Sequence, residues 1–288
     1  MKVTILKTKV KVDLLLTLII ITGVIAGQVR EILAILLSIT VHEAAHVVIA
    51  DGLGLKIEEI VIMPFGGKIK LNLIDEERIQ SGILITLAGP MANFLVSLLM
   101  LLAVYNEIVP TEFGYILVDY QIKLGLFNLL PALPLDGGRI FSLWLMRHMS
   151  FIDSIRVASR IGKIVGIIIA CIGVCGLVFD RGFYLFPIMG IFLYLQSMKE
   201  EGEAPLSFMK YVSGKKGTFI KKGFFYVEQI IAVQDLKVNK ILSLFLPHKY
   251  YIVCVVDKEM NIIKYLTETE IFDKIINKGL DIRIKDLI

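Results

Sequence analysis

From residue 12 to about residue 197, long apolar runs alternate with short charged connectors; the remaining residues, 199–288, read as ordinary soluble sequence. Six of the runs, at about 12–27, 31–50, 82–104, 113–134, 162–179 and 183–197, predict membrane-spanning helices, the first and last of them short. Between the second and third runs, Leu55–Met63 and Lys68–Leu73 alternate apolar and polar residues on either side of Pro64-Phe65-Gly66-Gly67. That pattern predicts either a β-hairpin at the membrane surface or a plain connector. In the tail, Tyr250–Asp257 and Asn261–Leu266 predict strands, and Thr267–Gly279 a helix. Thr267 is placed as its N-cap, Glu270 at the capping-box position and Gly279 as its stop. The expected organisation is a six-span domain over 1–198, a linker over 199–232 and a small α/β domain over 233–288.

Composition agrees with the pattern. The 288 residues are 56% hydrophobic with a mean hydropathy of +0.75, which points to a polytopic α-helical membrane protein. Lys2, Lys7, Lys9 and Lys11, the Lys56–Arg78 loop and the Arg139–Lys163 segment gather positive charge on one side, against Arg30 and Arg181 on the other. By the positive-inside rule both termini are cytoplasmic. The net charge of +4 comes without a basic block and interleaved aromatics, so no nucleic-acid partner is expected. Cys171, Cys175 and Cys254 have neither zinc nor disulfide spacing and are expected as buried thiols.

Against this background the second run is anomalous, because it carries His42-Glu43-Ala44-Ala45-His46 inside hydrocarbon. Ionisable groups are costly there and mark function. Histidines four residues apart share one helix face, which suits two imidazoles to one zinc ion, with Glu43 placed to take a proton from water. His42 lies eight residues from Ala50, or about 12 Å below the cytoplasmic end of the run. The fourth run also travels inward and is broken near its end by Pro131, Pro134 and Gly137-Gly138. Asp136 therefore arrives at matching depth, where it completes a His42/His46/Asp136 set with one position left for water.

Other polar residues in the spans invite plainer readings. Asn128, earlier on the fourth run, could bind a substrate carbonyl or hold the broken backbone. Gly89 and Pro90 permit close helix contact, and Asn93 beside them is read as structural, in need of a polar partner. Asp119 and Lys123 are expected to pair, while His148 in the basic segment Ser142–Lys163 is expected at the interface. If the hairpin forms, its free edge near Phe65 and Gly66 could pair with an extended peptide.

Three motifs in order, HEAAH, Gly89-Pro-x-x-Asn93 and Asn128-x-x-Pro-x-x-Pro-x-Asp136-Gly, resemble the site-2 protease family of intramembrane zinc metalloproteases. The Pro-Phe-Gly-Gly turn, six spans and tail look most like its stage IV sporulation protein FB branch. The tail resembles a single CBS (cystathionine-β-synthase) module, with Val256-Asp257 and Leu266-Thr267 in the familiar places. The resemblance implies one Zn2+ held by His42, His46 and Asp136, Glu43 as catalytic base, and Asn128 touching substrate. It implies a pro-sigma-K-like precursor as substrate, membrane inhibitor proteins as partners, and ATP or another adenine nucleotide at the tail. It further implies pairing of CBS tails between subunits and residence in the bacterial cell membrane around the forespore. Two other functions fit the residues: a protease cutting a membrane-spanning anti-sigma factor, and a CBS-regulated transporter using the same ligands for transit. The transporter calls for symmetry-related broken helices in both halves, whereas the strong breaks fall in the third and fourth runs.

Overall fold

The computed structural model describes residues 2–288 except 6, 7, 56, 64, 65, 72–75, 180–184, 225, 247, 248 and 279–281. The chain divides into two compact units, the first drawn mainly from Met1–Asn72, Gln80–Phe141 and Ala158–Ser197. Its elements are β1 (Lys2–Ile5), β2 (Thr8–Val12), α1 (Leu14–Ile25), α2 (Val29–Gly52), β3 (Ile57–Met63), β4 (Gly66–Leu71), α3 (Glu76–Tyr105) and α4 (Thr111–Asn128). There follow α5 (Asp136–Leu145), α6 (Phe151–Gly176) and α7 (Leu185–Lys222); α3, α5, α6 and α7 each have residues assigned to the other unit.

Among the described residues three helical stretches are long and apolar enough to cross a bilayer: Val29–Gly52, Gln80–Tyr105 and Phe151–Gly176. The expected spans are all helical over most of their length, but the other three fall short of that standard. The apolar part of α1 is short, and α4 carries Glu112, Asp119 and Lys123 within 18 residues. The last expected span is only the beginning of α7. Helix α2 ends where Gly54 takes φ +68°, so that Leu55 N–H reaches the Ala50 carbonyl at 3.0 Å and Gly54 N–H reaches that of Asp51 at 2.8 Å. That closure satisfies carbonyls a buried helix end would leave bare.

The hairpin read from the Pro/Gly turn is present as β3 and β4, antiparallel from Ile57↔Leu71 to Met63↔Gly66. It belongs to a larger sheet than expected, in the order β1-β2-β3-β4 with β2 parallel to β3. The first two strands stand where the charge pattern suggests only a basic flank: apolar residues alternate with lysines in Lys9-Val10-Lys11-Val12. Phe65 lies outside the described residues, and Gly66 opens the edge strand β4.

Helix α4 stops at Asn128, and the chain runs non-helically from Leu129 to Leu135 before α5 begins at Asp136. Residues Ala132–Gly138 are buried. The loop survives there because its backbone is satisfied by protein, as the membrane interior demands. Ser197 Oγ donates to the Leu133 carbonyl at 2.5 Å, and Leu133 N–H donates to Ala158 O at 3.4 Å. Gly137 lets the loop fold back tightly, since a Cβ there would stand 2.2 Å from the Leu129 carbonyl oxygen.

The second unit holds Leu73–Ile79, Ser142–Val157 and Met198–Ile288. Its sheet orders β5 (Val227–Val233), β6 (Tyr250–Val256) and β7 (Ile262–Thr267), with β5 parallel and β7 antiparallel to β6. Short α8 (Val238–Leu242), α9 (Glu268–Lys278) and a 3₁₀ turn (Ile284–Leu287) complete it. Tyr251, Val253, Val255 and Leu266 line a core shared with Phe272 and Ile275 of α9 and with Phe208 of α7. Over the stretch expected as a linker, 199–232, helix α7 runs on to Lys222 and Val227–Val233 is a strand. Phe208 supplies the reason, since that stretch contributes to a core rather than to solvent. Phe151 and Ile152, from the segment read as amphipathic, pack against the same core. His148 stacks edge-on against the half-exposed Trp144, ring centroids 5.5 Å apart.

Two details of this unit and its neighbour bear on stability. The capping box forms as read: Glu270 Oε2 accepts Thr267 N–H at 2.9 Å, and Thr267 Oγ1 accepts Glu270 N–H at 3.3 Å. Those bonds from Thr267 hold the exposed Glu270 carboxyl below the ordinary glutamate range. Its contribution is therefore complete above the unfolded value and disappears as pH falls through the lower folded one. We expect hydrogen exchange at the Thr267–Asp273 amides to rise in acid in the wild type, and Glu270→Ala to show the raised exchange already at neutral pH. The cysteines differ from expectation: only Cys254 is buried, while Cys171 and Cys175 lie exposed on α6, where a thiol acts as a small apolar group.

Candidate metal centre

The buried side of α2 recurs at helical spacing, Ser38, Ile39, His42, Glu43, His46 and Ala50, because this face packs against other helices. His42 is 0% exposed and His46 2%. The buried turn after α4 delivers Asp136, 3% exposed, to the same place. Its Oδ2 lies 2.9 Å from His42 Nε2 and 3.1 Å from His46 Nε2. The two rings meet edge to face with centroids 4.7 Å apart. As the first residue of α5, Asp136 also sits at the positive end of a helix, and Arg139 Nη1 stands 3.7 Å from its other oxygen.

The far side of each ring is engaged as well. His46 Nδ1 donates to the Ile85 carbonyl at 2.7 Å, and His42 Nδ1 is 3.0 Å from Asn93 Oδ1. With Nδ1 protonated, Nε2 of each ring carries a lone pair. Two lone pairs and a carboxylate oxygen then converge, all within 4.8 Å of one another. Such a set repels itself unless a cation sits among it, and two His with one carboxylate suit zinc with a coordination position left open. The residues fit the metal.

Glu43 is 5% exposed, and among the described residues neither carboxylate oxygen has a hydrogen-bond partner. Gly89 makes the cluster possible from α3. A Cβ there would fall 2.5 Å from His46 Nε2 and 2.7 Å from His42 Nε2. Both ends of the motif thus have physical meaning, for Asn93, read as structural, finds its polar partner in His42. That contact spans 51 positions, and its one trace in the sequence is a polar side chain one helical turn from a glycine. Asn128 is buried and donates to Leu124 O of its own helix at 3.0 Å. Asp119 and Lys123 pair at 2.5 Å on the exposed side of α4.

Comparison with known proteins gives this arrangement a context. Residues 30–110 match the model of Peptidase family M50. Over that stretch the chain is similar to the M50 peptidases. A site-2 protease from Methanocaldococcus jannaschii superposes with a TM-score of 0.59 at 24% identity, covering 70% of this chain and 94% of that one. The fold is therefore the site-2 protease fold. In sequence the chain is 26% identical to a zinc metalloprotease of Methanocaldococcus jannaschii, over 74% of this chain and 60% of that protein. It is 23% identical to stage IV sporulation protein FB of Bacillus subtilis, over 50% of each. The chain thus spans 60% and 50% of the length of these two curated relatives. The sporulation protein is one relative among others.

Proposed function

We propose that the chain is an intramembrane zinc metalloendopeptidase. The observation that carries this is the buried convergence of His42, His46 and Asp136 beside a carboxylate, Glu43, whose oxygens accept no hydrogen bond. His42, His46 and Asp136 would hold the ion. A zinc ion held there would supply Lewis acidity toward a carbonyl and toward water. Glu43 takes the proton of the attacking water and passes it to the leaving amine, work for which an unpaired carboxylate is free. Burial of the whole cluster keeps bulk water from competing. The peptide must be extended before its bonds are accessible, and the edge strand β4, beginning at Gly66, offers backbone groups to which an extended segment can add. Phe65 and Asn128 are assigned to the same substrate path, Asn128 by loosening from its own helix.

The remaining parts of this reading rest on sequence. Six spans follow from the apolar runs and cytoplasmic termini from the distribution of Lys and Arg, and a metal site in the cytoplasmic half of its span suits a membrane-associated precursor. A pro-sigma factor processed during sporulation is the substrate favoured by likeness to the sporulation branch; a membrane-spanning anti-sigma factor is the competing one. Inhibitor proteins of the same membrane, an adenine nucleotide at the CBS-like tail and pairing of tails between copies rest on the same resemblance.

The test is metal content followed by cleavage. Purified chain is expected to hold one zinc ion per molecule, and a strong chelator is expected to abolish peptide hydrolysis, with restoration by stoichiometric zinc. Co-expression with each precursor type then shows which one yields a fragment. Hydrolysis that persists in metal-free chain defeats the proposal.

A further inference from the structure

His42 and His46 keep their Nε2 lone pairs by different means. The partner of His46 Nδ1 is a backbone carbonyl, which can only accept. The partner of His42 Nδ1 is the amide of Asn93, which after half a rotation would present its NH2 group instead. That rotation would favour the opposite tautomer, with the proton on Nε2 facing Asp136. One contact opposes it: Asn93 Nδ2 points to the Gln121 backbone carbonyl at 3.5 Å, another group that can only accept. Asn93 is 0% exposed, so water offers no substitute for either partner. One turn along α4, Gly125 leaves the space these groups occupy, since a Cβ there would lie 3.0 Å from the Phe94 ring and 3.5 Å from Asn93 Cβ.

From this chain, His42 to Asn93 to the Gln121 carbonyl, we infer that Asn93 is a positioning residue that sets the His42 tautomer for metal binding. The inference rests on the zinc reading above and gives the Gly89-Pro-x-x-Asn93 motif a role in it. Hydrogen-bonded partners on the far side of a metal-binding histidine typically contribute 10–100-fold in metal affinity.

The test uses the full chain purified in detergent, with zinc affinity measured by competition against a chromophoric chelator and the visible spectrum recorded after Co2+ loading. Asn93→Leu keeps the branched shape and loses the acceptor; we expect about 10–100-fold weaker zinc binding and a changed cobalt band. Asn93→Asp keeps an acceptor toward His42, and its affinity is expected within about threefold of wild type. A role in packing alone predicts the reverse order or no difference. If Asn93→Leu does not fold, Asn93→Val takes its place. Unchanged affinity and spectrum in the variant without an acceptor, or equal losses in both kinds of variant, overturn the inference while leaving the zinc reading intact. A wild-type chain that holds no zinc removes both.

Discussion

Reconstituted Glu43→Gln chain releases no fragment from a precursor that wild type cuts, yet carries the same zinc. The expectation follows from what Glu43 touches. Its carboxylate oxygens are buried without hydrogen-bond partners, and the residue is not among the three that converge on the metal position. Glutamine keeps its shape and removes its capacity to accept and return a proton. General-base catalysis is worth about 10²–10⁴-fold, so the residual rate should fall below ordinary detection. Folding should not suffer, since a neutral amide is easier to bury than an unpaired carboxylate; thermal stability is expected equal or higher. Fragment analysis by mass spectrometry and a chelator titration measure the two halves of the prediction. Wild-type cleavage by this variant would falsify the mechanism.

Adding one carbon at Gly89 should be nearly as damaging, by another route. The Cβ of Gly89→Ala would overlap both Nε2 atoms, and the imidazoles cannot swing aside freely because Ile85 and Asn93 hold their other nitrogens. Overpacking of this kind costs about 1–3 kcal/mol, and a displacement near 1 Å at a reacting centre costs about 10²-fold in rate. We expect zinc affinity and hydrolysis to fall together, unlike Glu43→Gln, where only hydrolysis falls. Gly52→Ala is the internal control. It lies in the last turn of α2 with nothing within 4 Å of the new carbon, so metal binding and rate should stay at wild type. Loss of function in both glycine variants would point to general helix sensitivity rather than to crowding of the imidazoles.

The metal trio is legible in the amino-acid order itself because each member leaves a local trace. His42 and His46 are one helical turn apart, and Asp136 follows two prolines at a depth set by counting residues inward. The partners on the far side of the rings leave no such trace. Ile85 contributes a backbone carbonyl, which any residue offers, and Asn93 meets His42 only once α3 has packed against α2. The first two strands are hidden for a different reason. Their lysines satisfy a charge rule, and that masks the alternation of Val3, Ile5, Val10 and Val12. In the second unit Val227–Val233 reads as connector, although its parallel partner β6 is plain. Pairing between segments far apart in the chain is what a periodicity reading lacks.

The burial of Asp136 and Glu43 beside the two imidazoles has an electrical consequence. A divalent ion added to two neutral imidazoles and two carboxylates brings those five groups to zero total charge, the state a low-dielectric interior accepts most readily. Withdrawn, it would leave two carboxyl groups buried in the same cluster, with Arg139 Nη1 3.7 Å from one of them. The ion that would drive hydrolysis would therefore also act as the keystone of the bundle at that depth.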